Sequence, residues 1–303
     1  MEWRCIAEGL RFPEGPVACA DGSVILVEIA AGRVTRVSSN GDRQMIAETG
    51  GGPNGLAWGP GGLLYCCNNG GMRWHEDEAG RLAPVGTPDD YAGGSIQTVD
   101  PATGDVLTLY ASTPEVPLRG PNDLVFDAHG GFWFTDHGKT FARSRDRCGV
   151  FYARTDGSFI EEVIAPFGDP NGIGLSPDGT TLYVADTTSC MLLAFTVEAP
   201  GRIAPHSRRM LYRPAGQRWF DSLGVEDNGR ICVATIGDCG ISVVEPAGGL
   251  AEFVATDDIY TTNIAWGGAD RRTAYVTASG TGRLLAADWP RAGLRLQHEQ
   301  QQG

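Results

Sequence analysis

The 303 residues include 24 Lys and Arg against 37 Asp and Glu, a formal net charge of −13. That balance argues against nucleic acid, whose phosphates require clustered cations, and against anionic membrane surfaces. Hydrophobic residues make up 42%, enough for a large core, and the 43 glycines and 18 prolines follow no short period, so they read as turn punctuation.

The chain opens MEWRCIAEGLRFPEG. No basic stretch precedes an apolar core there, so no secretory signal is read, and no apolar run reaches the length of a membrane span. A cytoplasmic protein without a membrane partner is expected. The cysteines, Cys5, Cys19, Cys66, Cys67, Cys148, Cys190, Cys232 and Cys239, are scattered without CxxC or Cys/His zinc spacing. They are expected to be reduced thiols serving as small core residues.

A repeat begins at Pro13. Its first copy, PEGPVACADGSVILVE, starts on Glu14, reaches Gly22 eight residues later and ends in an apolar strand near Glu28. PNGLAWGPGGLLYCCN follows on Asn54 with Gly62, PNDLVFDAHGGFWFTD on Asn122 with Gly130, and PNGIGLSPDGTTLYVAD on Asn171 with Gly179. FDSLGVEDNGRICVAT starts on Asp221 with Gly229, and TNIAWGGADRRTAYVTA on Asn263 with Arg271 in the glycine's place. In each copy a short strand meets a tight turn, where glycine supplies positive φ, and a second strand returns. Runs between the copies, such as GRVTRVS, MLLAFTVE and GISVVEPAGGLAEFV, bring the total to about four strands per unit. The leading residues follow one another at 40, 68, 49, 50 and 42 residues. The long second gap holds segments 72–94 and 112–120, which read as loops. Only the polar tail after Pro290 carries any helical pattern.

Six units of four strands predict an all-β chain, one six-bladed β-propeller over residues 1–303 with a central metal-binding channel. The blade motifs fall near 14–28, 54–68, 122–136, 171–186, 221–235 and 263–277. The innermost strand of each blade lines the channel, so Glu14, Asn54, Asn122, Asn171, Asp221 and Asn263 are expected to form a ring. The ring offers only oxygen and amide groups. Hard divalent cations take such donors, and two carboxylates without a cation would repel each other. The returning strands end on Glu28, Asn68, Asp136 and Asp186, which are expected near the same mouth.

Four motifs, FPEGPV at Phe12–Val17, GPNDLVFD at Gly120–Asp127, PNGIGLSPDG at Pro170–Gly179 and DSLGVEDNG at Asp221–Gly229, resemble the SMP-30/gluconolactonase/LRE family of six-bladed metal-dependent lactonases. The resemblance spans about residues 8–290. It implies that Glu14, Asn171 and Asp221 bind one divalent metal, with Asn122 as a fourth ligand or a substrate contact. The family's site aspartate is usually followed by glycine, whereas here Ser222 follows Asp221, a departure that bears on substrate fit.

Oxygen donors favour Ca²⁺, with Zn²⁺, Mn²⁺ and Mg²⁺ as alternatives. Such an ion polarises a lactone carbonyl, and Asp221 is the first candidate for the base that activates water. The expected function is a lactonase, a carboxylic-ester hydrolase acting on a small sugar or other lactone. Asn122, Asn54, Arg119 and His137 are candidate substrate contacts, with His137 as a second candidate base and Asp123 expected to orient ring side chains. Trp74, Tyr91 and Trp219 are expected in long loops over the mouth. Hydrolysis of another ester at the same metal, or a non-enzymatic small-ligand-binding propeller, are the competing readings. Closed sheet edges suit a monomer or weak homo-oligomer.

Overall fold

The computed structural model describes residues 1–216 and 218–299. Each sequence repeat nucleates one antiparallel sheet, strands joining in chain order from the channel outward. Blade 1 is built from Pro13–Ala18, Val24–Glu28, Arg33–Val37 and Arg43–Glu48. Blade 2 uses Pro53–Trp58, Leu64–Asn68, Ser95–Val99 and Val106–Tyr110. Blades 3 and 4 start with Pro121–Phe126 and Pro170–Leu175. Blades 5 and 6 start with Trp219–Val225 and Thr261–Gly267. Blade 6 takes its outermost strand, Arg4–Ala7, from the other end of the chain, paired with Arg283–Asp288. The six innermost strands contact one another in a closed circle, blade 6 returning to blade 1. The fold is a six-bladed β-propeller.

The core consists of six apolar clusters, one between each pair of neighbouring blades. A strand's side chains alternate between faces, so each blade feeds two clusters. Ile25 and Val27 face blade 2, while Val24 and Leu26 face blade 6. Cys66 packs with blade 1 and its neighbours Tyr65 and Cys67 with blade 3. Burial on both faces explains why second strands read as unbroken apolar runs such as LLYCC and FWFT. The cysteines are free thiols; six are buried in the core as expected, whereas Cys5 is exposed and Cys239 half-buried.

Two expectations change. Segment 72–94 is not simply a loop: it contains a hairpin, Arg73–Glu76 with Leu82–Gly86. The tail after Pro290 has no helix among the described residues, and instead lies along blade 5, Leu294 N donating to Val225 O at 2.8 Å.

Candidate active site

Each inner strand breaks register at its leading motif, between Glu14 and Val17 in blade 1 and at equivalent places in the other five. A bulge of this kind bends the strand and re-aims a side chain. In blades 1, 2 and 4 the leading residue is followed by a glycine, which lets adjacent strands close up. A Cβ on Gly55 would lie 2.5 Å from Asn122 O, and one on Gly172 would lie 2.7 Å from Asp221 O. The six leading residues are thereby brought to successive positions around the channel. All are buried, from Asn122 at 2% exposure to Asp221 at 9%.

The acids cluster. Glu14 Oε2 accepts from Asn263 Nδ2 at 2.7 Å and from the Gly15 amide at 2.6 Å. Burial raises the Glu14 carboxyl above its usual range despite these bonds. Asp221 is pushed well above its usual value, first by burial and then by the charge on Glu14, with the Asn171 amide beside it pulling the other way. Asp123, read in the sequence only as a residue that orients others, supplies a third carboxylate. Burial and then the Glu14 charge raise it to about 7. Asn171 Nδ2 donates to Thr187 Oγ1 at 3.2 Å, but its buried Oδ1 has no hydrogen-bond partner. Three buried carboxylates that disfavour one another's charge, beside an orphaned amide oxygen, form a donor set short of a cation. Among the described residues no three His, Cys, Asp or Glu side chains form a metal cluster by themselves. The ring's donors are interleaved acids and amides, and that mixed oxygen set fits a hard divalent ion.

Glu28, Asn68, Asp136 and Asp186 are occupied with the backbone. Glu28 Oε2 accepts the Arg11 amide at 2.8 Å, and Asn68 Oδ1 accepts that of Gly52 at 2.9 Å. Asp136 accepts the Arg119 and Gly120 amides, both at 2.7 Å. These amides belong to the loops just before Pro13, Pro53 and Pro121. Asp186 accepts the Ser189 amide at 3.0 Å, and Gly168 approaches it so closely that a Cβ would sit 2.3 Å from Oδ2. In blades 1 to 3 these side chains therefore clamp the entry to the inner strand.

Arg119 pairs with Asp146, 3.3 Å away across a neighbouring loop. His137 lies between the entries to blades 3 and 4. Its amide donates to Gly120 O at 3.0 Å, and its Nδ1 is 3.7 Å from Asp169, which Arg145 also engages. Burial lowers its imidazole to about 4, Asp169 opposing, so the ring is neutral at pH 7. Lys139, which the sequence gave no reason to single out, is buried with Nζ 2.6 Å from Gly71 O and 5.3 Å from the centre of the Tyr91 ring. It ties the blade 2 insertion to blade 3.

The hairpin at 73–86 spans this face. It reaches blade 6 through Leu82 N to Gly280 O at 3.0 Å and blade 1 through Arg11 and Glu76 at 2.8 Å. Thr87 Oγ1 then meets Thr140 O, on the blade 3 side, at 2.8 Å. Trp74 packs on Phe12 with ring centres 4.8 Å apart, and Tyr91 donates its hydroxyl to Arg119 O at 2.6 Å. Trp219 is not in a loop but opens the inner strand of blade 5. A chamber of about 480 Å³ lies on the other side of the ring, where it meets Gly15, Asp123 and Asn263.

A gluconolactonase of Zymomonas mobilis is 27% identical over 261 residues, covering 80% of this chain and 69% of its own. A lactonase of Staphylococcus epidermidis is 32% identical over 128 residues, 42% of this chain, so that the chain spans about two-fifths (39%) of that relative's length. Among solved structures, a gluconolactonase of Xanthomonas campestris superposes with a TM-score of 0.76 at 23% identity, covering 95% of this chain and 89% of its own. The calcium-binding regucalcin of Agrobacterium tumefaciens does so at 0.71 and 17%, covering 95% of each. The model of the SMP-30/Gluconolactonase/LRE-like region matches residues 12–280, and the chain belongs to that family.

Proposed function

We propose that the chain hydrolyses a small lactone at the ring, with one divalent cation held by Glu14, Asn171 and Asp221, and Asn122 as a fourth donor or substrate contact. The observation that carries this reading is the buried, partnerless Asn171 Oδ1 beside carboxylates that lack a neutralising charge. Family membership and the lactonase relatives support the substrate class, and the Zymomonas gluconolactonase favours a sugar lactone within it. The all-oxygen set, and the calcium-binding neighbour, favour Ca²⁺.

A divalent cation in this set supplies Lewis acidity toward an ester carbonyl. The chain's own groups do the rest. Asp221 accepts the proton of the attacking water; a ligating carboxylate is a weak base, but a lactone is an activated ester and asks for little. Asn263 holds the Glu14 carboxylate in place through its 2.7 Å bond. Asn54 and Asn122 offer amide donors to substrate oxygens, and neutral His137, backed by Asp169, accepts from a substrate hydroxyl. Arg119 stands at the mouth, paired with Asp146. Water adds to the carbonyl carbon, the ring C–O bond breaks, and the ring oxygen takes a proton. The product is a hydroxy acid that ionises at neutral pH.

Proton release is therefore the readout. A panel of γ- and δ-lactones is incubated with wild type and Asp221→Ala, each with calcium and with chelator. Calcium-dependent release that the variant lacks is the expected result. No release from any lactone by folded, calcium-loaded protein would turn attention to other esters, and failure with those to a ligand-binding role.

A further inference from the structure

Four of the ring positions are asparagines, Asn54, Asn122, Asn171 and Asn263. A primary amide presents an acceptor on one side and donors on the other, and only the oxygen side can serve a cation. Asn263 turns its NH₂ toward a proposed ligand, Nδ2 donating to Glu14 Oε2 at 2.7 Å. Asn171 turns its NH₂ elsewhere. Its Nδ2 donates at 3.2 Å to Oγ1 of Thr187, a half-buried residue just past the blade 4 strand Thr181–Asp186.

A threonine hydroxyl carries a single hydrogen, and that of Thr187 is already placed. Oγ1 donates to Phe220 O at 2.7 Å, on the inner strand of blade 5 and next to Asp221. Toward Asn171 the hydroxyl can then only accept. An Asn171 amide turned over would set Oδ1 against oxygen lone pairs with no hydrogen between them. The orientation with Nδ2 on Thr187 is thereby selected, and it leaves the buried Oδ1 as the oxygen without a partner. The main chain around this contact is held as well. Thr135 Oγ1 donates to Asn171 O at 2.6 Å, and Thr187 N donates to Asp169 O at 3.0 Å. Asp221 also draws on the Asn171 amide, but it is itself a proposed ligand whose charge serves the cation. Thr187 is the partner with no other duty toward the ion.

We propose that Thr187 is a positioning residue for the ring's cation: by giving its hydrogen to Phe220 O and accepting from Asn171 Nδ2, its hydroxyl offers Asn171 Oδ1 to the ion and couples the two strands that carry Asn171 and Asp221. This rests on the proposed binding of a divalent cation at the ring and needs nothing of the substrate.

Calcium is titrated calorimetrically into the full chain freed of metal by chelator, with manganese and zinc alongside. Thr187→Val keeps the shape of the side chain and removes the acceptor, so the released NH₂ falls to Asp221 and competes with the ion there. Calcium binding should weaken about tenfold or more, the range seen when an outer partner of a metal ligand is lost. Thr187→Ser restores the hydroxyl and should bind calcium as wild type does. Asn171→Asp supplies a test that plain structural damage would not pass. A carboxylate presents oxygen whichever way it is turned, so Thr187→Val should cost little in the Asn171→Asp background, and a double-mutant cycle should return nearly the whole loss as coupling between the two positions. Undiminished binding in Thr187→Val, binding in Thr187→Ser as weak as in Thr187→Val, or an equal loss from Thr187→Val in both backgrounds would each overturn the role of Thr187 and leave the cation site standing. A folded wild type that takes up neither calcium, manganese nor zinc would overturn it together with the reading it rests on.

Discussion

The residue eight places after each leading position has one task, to take a left-handed backbone in the first hairpin. Gly22, Gly62, Gly130, Gly179 and Gly229 have φ between 70° and 88°, and Arg271, the exception in sequence, holds the same region at 52°. Gly179 has nothing within 4 Å of where a Cβ would sit. Gly179→Ala should therefore cost only backbone strain, about 1 kcal/mol in urea unfolding, with no packing loss. A second residue-scale case is Glu28, fully buried and bonded to Arg33 at 2.7 Å, to Thr35 at 2.6 Å and to the Arg11 amide. Burial alone would raise its carboxyl, but Arg33, Thr35 and Arg11 outweigh it and hold it below the usual value. A depressed folded value means stability that is present above the unfolded value and lost as pH falls through the folded one. Arg33→Met leaves the carboxylate buried and unpaired. It should cost roughly 2 kcal/mol at pH 7, below the usual range because the Arg33 end reaches solvent, and the deficit should shrink in acid as Glu28 protonates. Equal deficits at pH 7 and pH 4 would mean that Glu28 charge is not the cause.

At the scale of elements, the circle closes on a borrowed strand. Arg4, Cys5 and Ala7 pair with Ala286, Leu285 and Leu284, and Trp3 Nε1 donates to Ala255 O at 2.8 Å. Without that strand the Arg283–Asp288 edge presents unpaired backbone, a template for another chain. Deleting residues 2–8 should lower stability by about 3 kcal/mol or more, at about 1 kcal/mol for each lost ladder bond, and should produce dimers or larger species in sedimentation. An unchanged urea midpoint with a monodisperse monomer would show that the closure is dispensable. Inserted elements follow a different logic. The 73–86 hairpin has few apolar positions of its own, and its placement depends on contacts with blades 1, 3 and 6 that lie far away in sequence.

For the whole molecule, the repeat was legible because one ruler recurs: a polar residue at a bulge, glycine eight places on, then a strand buried on both faces. Six copies of it led to the propeller and to the six polar positions around the channel. What stayed hidden depends on partners distant in the chain. Arg119 gave no sign of its pairing with Asp146, nor Asp136 of its grip on the loop before Pro121. The chamber exists only because inner strands of separate blades and the tail meet there. The ring itself makes a global claim that can be weighed thermodynamically. Burial raises the proton affinity of Glu14, Asp123 and Asp221 in the fold, and the Glu14 charge adds to it at Asp123 and Asp221, so the proposed cation should bind the native state and not the unfolded chain. Stability then rises by about 1.4 kcal/mol per tenfold increase in free calcium above the dissociation constant. With an unfolding entropy of about 2 cal/mol/K per residue, a chain of 303 residues should gain about 2 °C in melting temperature per tenfold calcium. Magnesium should give a smaller rise, since it gives up its water reluctantly. Asp221→Asn removes a donor charge while keeping the shape, and should flatten the calcium dependence. A wild-type melting temperature that ignores calcium, manganese and zinc alike would leave the carboxylates to be neutralised by protons and remove the basis for a metal at the ring.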